Sequence, residues 1–200
     1  MKKVIIIIED NFTDFKDIKS VVDSKYECRQ QYTEETDYNT DVQGSFINSL
    51  KASLQSSCAN EEEYANQTIL KKQLQEKLKS YCNEDEEPVY LIDYLLDGAG
   101  RGNIINGIRF IEIFLEKMYP DKIIPVMFIT SASRTPRVKV DNYVTKINDK
   151  SICDFQTKPN KRDWHLPIVE NKILNFIKNA KSKPREKTKS KNIEDIYEND

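Results

Sequence analysis

The chain has 200 residues, enough for one domain with a sizeable hydrophobic core. Its 31 basic and 33 acidic side chains leave a net charge of −2, so no overall field favours nucleic acid or an acidic membrane surface. Four dispersed cysteines and a single histidine argue against a metal knuckle or a disulfide framework and are typical of a reduced protein. We find no targeting segment and no apolar stretch that could span a membrane, so we expect a cytoplasmic location.

The first element is a buried strand over residues 3–8, where "VIIII" runs without polar alternation and ends at Glu9 and Asp10. A continuous Val/Ile run is typical of a parallel strand that is covered on both faces. A helix is expected from Thr13, which is placed to cap it. Residues 25–32 then alternate like a short, half-exposed strand.

Residues from about 40 to 87 are predicted to form a helical insertion. A strand and a helix with short connections need far fewer residues than separate Asp10 from Asp93. We expect helices over residues 45–57 and 61–82. The second has an apolar stripe that is more typical of a packing face than of a docking surface, and its members are Tyr64, Ile69, Leu70, Leu74, Leu78 and Tyr81.

Three further strands are expected, ending at Asp93, at Thr130 and just before Lys158. Helices are predicted over residues 107–119 and 166–180, with a weaker one over 136–150. The last residues, 181–200, are Lys-rich and then acidic, so we expect a disordered polar tail. Strands that alternate with helices predict an α/β domain with a parallel sheet over residues 1–180.

Polar side chains collect at the carboxyl ends of the predicted strands, where parallel α/β folds bind their ligands. These side chains are Glu9, Asp10, Asp93, Thr130, Ser131 and Lys158. Three carboxylates together favour a hard divalent cation such as Mg²⁺. A lysine and a hydroxyl are typical donors to phosphoryl oxygens, and a carboxylate can act as the nucleophile that accepts the phosphoryl group.

Four motifs, in the order "IIIIEDN", "VYLIDYLLDG", "PVMFITS" and "CDFQTKP", resemble the response-regulator receiver domain of two-component signalling. The resemblance covers most of residues 1–180 but neither the insertion nor the tail. It implies a doubly wound, flavodoxin-like sheet of five parallel strands in the order 2-1-3-4-5.

The resemblance also implies roles for individual residues. Glu9 and Asp10 would hold Mg²⁺, and Asp93 would be both a metal ligand and the phosphoryl acceptor. The carbonyl of Leu95 would complete the protein's share of the metal ligands. Thr130 would donate a hydrogen bond to a phosphoryl oxygen, with Ser131 in the small-residue position beside it.

Two further features belong to the same resemblance. Lys158 would pair with a phosphoryl oxygen, and the Lys158–Pro159 bond resembles the cis peptide of the family. Phe155 matches the aromatic residue whose rotation reports phosphorylation in many members. The dianionic phosphoryl group would attract Thr130 and Lys158, and the ring of Phe155 would enter the space that Thr130 leaves.

The function implied is that of a stand-alone response regulator, a phosphoprotein that carries an aspartyl phosphate. A histidine kinase or a phosphotransfer protein would supply the phosphoryl group in a phosphorelay. Such a protein catalyses only its own modification and is a switch rather than a metabolic enzyme. Nothing after Ala180 could build a DNA-binding module, so we expect output through contacts with a downstream protein that the sequence does not name.

Two alternatives stay open because the chain departs from the family pattern. The acid pair is Glu-Asp rather than Asp-Asp, and Asp97 stands where a proline is usual in the loop after Asp93. A pseudo-receiver would act as an interaction module without phosphorylation. A Mg²⁺-dependent nuclease of the Toprim kind would also use strand-end acids, but it requires an Asp-x-Asp pair that this chain lacks.

Overall fold

The computed structural model describes residues 1–32, 34, 36–37, 61–96, 107–130, 134–160 and 163–185. The strands are β1 (Lys2–Ile8), β2 (Glu86–Asp93), β3 (Lys122–Ile123), β4 (Val126–Thr130), β5 (Cys153–Thr157) and β6 (Lys183–Pro184). The helices are α1 (Phe12–Asp23), α2 (Glu61–Ser80), α3, α4 (Arg134–Ile147) and α5 (Pro167–Asn179). Helix α3 consists of α-helical turns at Gly107–Phe110 and Glu116–Met118 on either side of a π-helical segment, Ile111–Leu115.

The main sheet has four described strands in the order β1-β2-β4-β5, and all of its pairs are parallel. Ile8 pairs with Ile92, so that Glu9 follows β1 beside the end of β2. Asp93 pairs with Ile129, and Thr130 pairs with Thr157. The prediction of an α/β domain with a parallel sheet is therefore confirmed, and the register brings the carboxyl ends of the strands to one edge.

Alternate residues of β1 enter two hydrophobic cores. Ile5 and Ile7 pack on one face of the sheet, with α1 and α5. Ile6 and Ile8 pack on the other face, with α3 and the carboxyl-terminal half of α2. All four side chains are buried, which is why the strand carries no polar alternation.

Residues 25–32 do not form the expected fifth strand. They contribute a single parallel bridge, Val4 to Glu27, and a hydrogen bond from the Ile5 N–H to the Glu27 carbonyl. Further along, the fully buried Gln30 side chain replaces backbone pairing, because its Oε1 accepts from the Ile7 N–H at 2.6 Å and its Nε2 donates to the Ile7 carbonyl at 2.9 Å. The side-chain amide thus satisfies the two backbone groups that a strand would have paired.

Arg29 fixes the same segment to the amino end of β2. Its guanidinium contacts both carboxylate oxygens of Glu86, at 2.5 and 2.7 Å, and donates to the Tyr81 carbonyl at 3.0 Å. Its Nε also donates to Glu27 at 2.8 Å. The planar guanidinium suits this bidentate contact, and it joins residues 25–32 to the turn that follows α2.

The amino end of α1 corrects one prediction. The N-cap is Asn11 rather than Thr13, and its Oδ1 accepts a hydrogen bond from the Asp14 N–H at 3.1 Å. Asparagine is among the best N-cap residues because its side chain satisfies an amide that the helix leaves unpaired. The helix therefore begins at Phe12, and only the cap residue Asn11 separates it from the acid pair.

The insertion is described only in part. The helix predicted over 45–57 lies outside the described residues, whereas the one predicted over 61–82 is confirmed as α2. Leu74, Leu78 and Tyr81 are buried against the sheet, while Ile69 is 54% exposed. The described carboxyl-terminal half of the stripe is therefore a packing face, and Tyr64 and Leu70 lie outside the described side chains.

The chain beyond Ala180 is described as far as Arg185. Lys183 and Pro184 pair antiparallel with Ile123 and Lys122, at the point where we expected the polar tail to begin. The three described cysteines, Cys28, Cys82 and Cys153, are free thiols. None of the helices in the described ranges is long and apolar enough to cross a membrane.

Gly107 lets the first turn of α3 approach the sheet closely. A Cβ at this position would lie 2.8 Å from Cε1 of Phe128 and 3.0 Å from Cγ2 of Ile92, and both neighbours are fully buried. We expect Gly107→Ala to lower the free energy of unfolding by about 1–3 kcal/mol, the usual cost of overpacking. Urea denaturation, followed by the fluorescence of the single, buried Trp164, measures this free energy. As a control, Lys117→Ala at an exposed position of the same helix should leave the free energy of unfolding nearly unchanged.

Gln30 is expected to stabilise the edge of β1 that faces residues 25–32. Gln30→Leu leaves the Ile7 N–H and carbonyl without their described partners, which should lower the free energy of unfolding by about 2 kcal/mol or more. Its exposed neighbour Gln31 offers a control, since Gln31→Leu keeps the Ile7 contacts. Equal unfolding midpoints for the two variants would show that the amide is dispensable.

Candidate functional site

The candidate site lies at the carboxyl edge of the parallel sheet. Glu9 follows β1, Asp93 is the last residue of β2, Thr130 is the last residue of β4 and Lys158 follows β5. The parallel register alone places these four positions side by side. A short connection then leads from Glu9 to the amino end of α1.

Three carboxylates converge at this edge and form what we call the carboxylate cluster: Glu9, Asp10 and Asp93. Each offers one oxygen, and these oxygens all lie within 4.8 Å of one another. Glu9 is fully buried, Asp93 is 3% exposed and Asp10 is partly exposed. Carboxylates this close and this buried repel one another unless protons or cations lie among them.

Lys158 supplies one such positive charge. Its Nζ lies 2.8 Å from Oδ2 of Asp93 and 3.2 and 3.0 Å from the two oxygens of Glu9. Burial lowers the pKa of Lys158, but the neighbouring carboxylates of Glu9 and Asp93 outweigh burial and raise it above its ordinary value. The ammonium therefore stays charged throughout the physiological pH range.

Glu9 is the most constrained member of the cluster. Its Oε1 accepts a hydrogen bond from the Asn11 N–H at 3.2 Å. Its buried Oε2 accepts no hydrogen bond from the described residues, although Nζ of Lys158 lies nearby. Burial, and then the negative charge of Asp93, raise the pKa of Glu9 well above its ordinary value, so a further cation at this oxygen would favour the ionised form.

Asp93 is held at both oxygens. Oδ1 accepts a hydrogen bond from the Leu95 N–H at 3.0 Å, while Oδ2 contacts Lys158. Burial raises the pKa of Asp93, and the contacts with Lys158 and the Leu95 N–H oppose that effect. These two contacts fix the orientation of the carboxylate, whereas the role of the Leu95 carbonyl as a metal ligand stays a prediction.

The remaining predicted residues lie at the same edge or beside it. Thr130 is fully buried, and its carbonyl accepts a 2.7 Å hydrogen bond from the Lys158 N–H. Phe155 is partly buried beside the core that contains Phe128, and Nζ of Lys172 lies 4.7 Å from the centre of its ring. Ser131 lies outside the described residues, and so does Asp97.

The Lys158–Pro159 peptide bond is trans, since the described residues contain no cis peptide. The cis bond expected from the resemblance is therefore wrong for this structure. A trans bond before proline is the more stable isomer by about 0.5–1 kcal/mol.

Asp14 is a site residue that the sequence reading missed. Its Oδ2 lies 3.0 Å from Nζ of Lys158, so a third carboxylate contacts the same ammonium. The helical spacing does predict which side of α1 carries Asp14, because Asp14 precedes the buried Ile18 by four residues and lies on the same side of the helix. What the spacing could not show is that this side of the helix ends beside Lys158.

The carboxylate cluster fits a Mg²⁺ ion. The donors are all oxygens, as this ion prefers, and the three of them lie within 4.8 Å of one another. With the three carboxylates ionised and Lys158 protonated, the group carries a charge of −2 that a divalent cation would neutralise. Glu9, Asp10 and Asp93 are the residues that would hold it.

A cleft of about 1080 Å³ lies at the opposite end of the sheet. Its lining includes Lys3, Glu86 and Lys122, which are at the amino ends of the strands. None of the predicted site residues lines it. The candidate site is therefore defined by the carboxylate cluster and Lys158, and not by this cleft.

A scan against family models and searches of curated proteins and of solved structures each found no match to this chain. The class of the protein consequently rests on its own fold and site. These define an α/β protein with a parallel sheet and, at the carboxyl edge of that sheet, a candidate centre for a divalent cation.

We expect Mg²⁺ to bind at the carboxylate cluster, as isothermal titration calorimetry would measure. Asp10→Asn should weaken binding by about tenfold or more, a loss typical even when an outer-shell partner of a metal is removed. Asp23→Asn removes the same charge from the far end of α1, where Asp23 pairs with Lys19. Equal Mg²⁺ affinities for these two variants would contradict a site at the cluster.

Proposed function

We propose that this protein is a stand-alone response regulator whose receiver domain accepts a phosphoryl group on Asp93. The observation that carries the proposal is the convergence of Glu9, Asp10 and Asp93 at the carboxyl edge of the sheet, with Lys158 in contact with two of them. The four sequence motifs that resemble the receiver pattern contribute these residues in the family's order. Mg²⁺ is the cofactor proposed.

The arrangement of helices on the two faces of the sheet is compatible with the flavodoxin-like fold of a receiver domain. Helices α1 and α5 pack on one face of the sheet and α3 on the other, and the four described strands follow the expected order. Residues 25–32 run beside β1, at the place of the strand that would complete the order 2-1-3-4-5. We propose the flavodoxin-like arrangement on this basis, with Gln30 in place of part of the strand pairing.

The chemistry proposed is nucleophilic. A carboxylate oxygen of Asp93 forms a new bond to phosphorus while the P–N bond of a phosphohistidine breaks, and the imidazole nitrogen leaves with the electron pair of that bond. The contacts of Asp93 with the Leu95 N–H and Lys158 hold the nucleophile in one orientation. When bound, Mg²⁺ would neutralise charge on the transferring phosphoryl group.

Lys158 and Thr130 would bind the product. The ammonium already lies 2.8 Å from Asp93, so a small movement could bring it to a phosphoryl oxygen. The Lys158 N–H donates a backbone hydrogen bond to the Thr130 carbonyl, so displacement of one residue affects the other. Phe155 precedes Lys158 by three residues on β5 and is partly exposed, and it is the residue proposed to rotate on phosphorylation.

The partners proposed are a histidine kinase or phosphotransfer protein as donor and a downstream protein as target. The self-phosphorylation makes the protein a switch rather than a metabolic enzyme. The pseudo-receiver is the second candidate, and it is favoured by the fact that Lys158 is already paired with carboxylates. The Toprim-like nuclease would need Asp97, which lies outside the described residues.

Incubation with Mg²⁺ and phosphoramidate tests the proposal. We expect a covalent adduct of one phosphoryl group, detected by intact-protein mass spectrometry and removed by hydroxylamine, because an acyl phosphate is a mixed anhydride whose carbonyl carbon hydroxylamine attacks with release of phosphate. Asp93→Asn should abolish the adduct, since an amide cannot act as the nucleophile. Asp23→Asn should be phosphorylated like the wild type.

Three other outcomes would contradict the proposal that Asp93 is the phosphoryl acceptor of a receiver domain. An adduct that persists in Asp93→Asn would assign the acceptor to another residue. A folded wild type that binds Mg²⁺ but gives no adduct would support the pseudo-receiver, and Mg²⁺-dependent cleavage of nucleic acid would support the nuclease.

A further inference from the structure

Asp14 adds a contact that the receiver-like pattern of this chain does not contain. The pattern uses the acid pair, Asp93, the strand-end hydroxyl and Lys158, whereas Asp14 lies in the first turn of α1. Its Oδ2 is 3.0 Å from Nζ of Lys158, and the two side chains are only 22% and 18% exposed. The pair is therefore partly shielded from solvent and is worth more than a surface ion pair.

The position of Asp14 is fixed by the local structure. Its N–H donates to Oδ1 of Asn11, and the next residue, Phe15, donates its N–H to the Asn11 carbonyl and is fully buried. A carboxylate in the first turn is also favoured by the helix dipole. Asp14 is thus held beside Lys158 by the helix cap and by the hydrophobic core.

All of the hydrogen-bonding capacity of Lys158 is in use. An ammonium has three donors, and Nζ contacts three carboxylates, those of Glu9, Asp93 and Asp14. A phosphoryl oxygen that accepts a hydrogen bond from Lys158 must therefore displace one of these three carboxylates from the ammonium. Glu9 and Asp93 would have Mg²⁺ as a second partner, whereas Asp14 would not share the cation of the cluster.

We propose that Asp14 is a positioning residue that competes with the phosphoryl group for Lys158 and so limits the stability of the phosphorylated state. The proposal rests on the proposed function. Asp14 retains the ammonium on the α1 side of the site, and it adds one negative charge where a dianion must bind. Both effects oppose the phosphoryl group and are removed together by Asp14→Asn, which keeps the size of the side chain.

Beryllofluoride, which mimics the phosphoryl group on aspartate, is the probe. In saturating Mg²⁺, we expect Asp14→Asn to bind it about threefold to tenfold more tightly than the wild type, by isothermal titration calorimetry. Asp14→Glu should stay close to the wild type because the charge is kept. Asp23→Asn, the matched loss of charge on the same helix, should also match the wild type.

A second pair of variants tests whether the effect passes through Lys158. In Lys158→Gln the ammonium is absent, so adding Asp14→Asn should raise beryllofluoride affinity by less than in the wild-type background. A full gain in the Lys158→Gln background would mean that Asp14 acts by charge alone, and would overturn its role in positioning Lys158.

The two proposals fail in different ways. If the wild type binds beryllofluoride and a folded Asp14→Asn shows equal or weaker affinity, the role of Asp14 is overturned and the proposed function stands. If neither protein binds beryllofluoride although both bind Mg²⁺, the proposed function is overturned and the role of Asp14 with it.

Discussion

The ammonium of Lys158 lies among three carboxylates, one just after β1, one at the end of β2 and one in α1, and the carboxyl edge of the sheet depends on this interaction. Glu9 and Asp93 are buried almost completely, and two neighbouring ionised carboxylates without a cation would be costly at that depth. Lys158 compensates part of that charge. It also joins the loop after β5 to the other elements that meet at the edge.

The backbone makes this concentration of charge possible. Parallel register brings the ends of β1, β2, β4 and β5 together, and the N–H groups of Asn11 and Leu95 each bind one carboxylate oxygen. The two hydrophobic cores hold the strands and α1 in place, so the polar residues need not determine the fold. At the opposite end of the sheet, the ion pair between Arg29 and Glu86 holds residues 25–32 against the amino end of β2.

Under the proposed function, these features would let one site be stable and still respond to phosphorylation. In the described structure Lys158 contacts the carboxylates. In the proposed active form, Mg²⁺ would bind the carboxylates and Lys158 would bind the phosphoryl group. The two arrangements use the same side chains with different partners, which is the basis of many ligand-driven switches. Asp14 belongs to the first arrangement only, and this is why it can set the balance between the two.

The layers of the fold followed from the sequence, because unbroken Val/Ile runs require strands that are buried on both faces. The polar residues of the sheet edge stood at predicted strand ends: Glu9, Asp93, Thr130 and Lys158. Periodicity reports which face of an element is buried, but it cannot report which side chains meet across elements. The three-dimensional structure was needed to show that Gln30 replaces strand pairing, because a single side-chain amide leaves no periodic pattern in the sequence. For the same reason it alone placed Asp14 beside Lys158, a contact between residues far apart in the chain that depends on how α1 packs against the sheet.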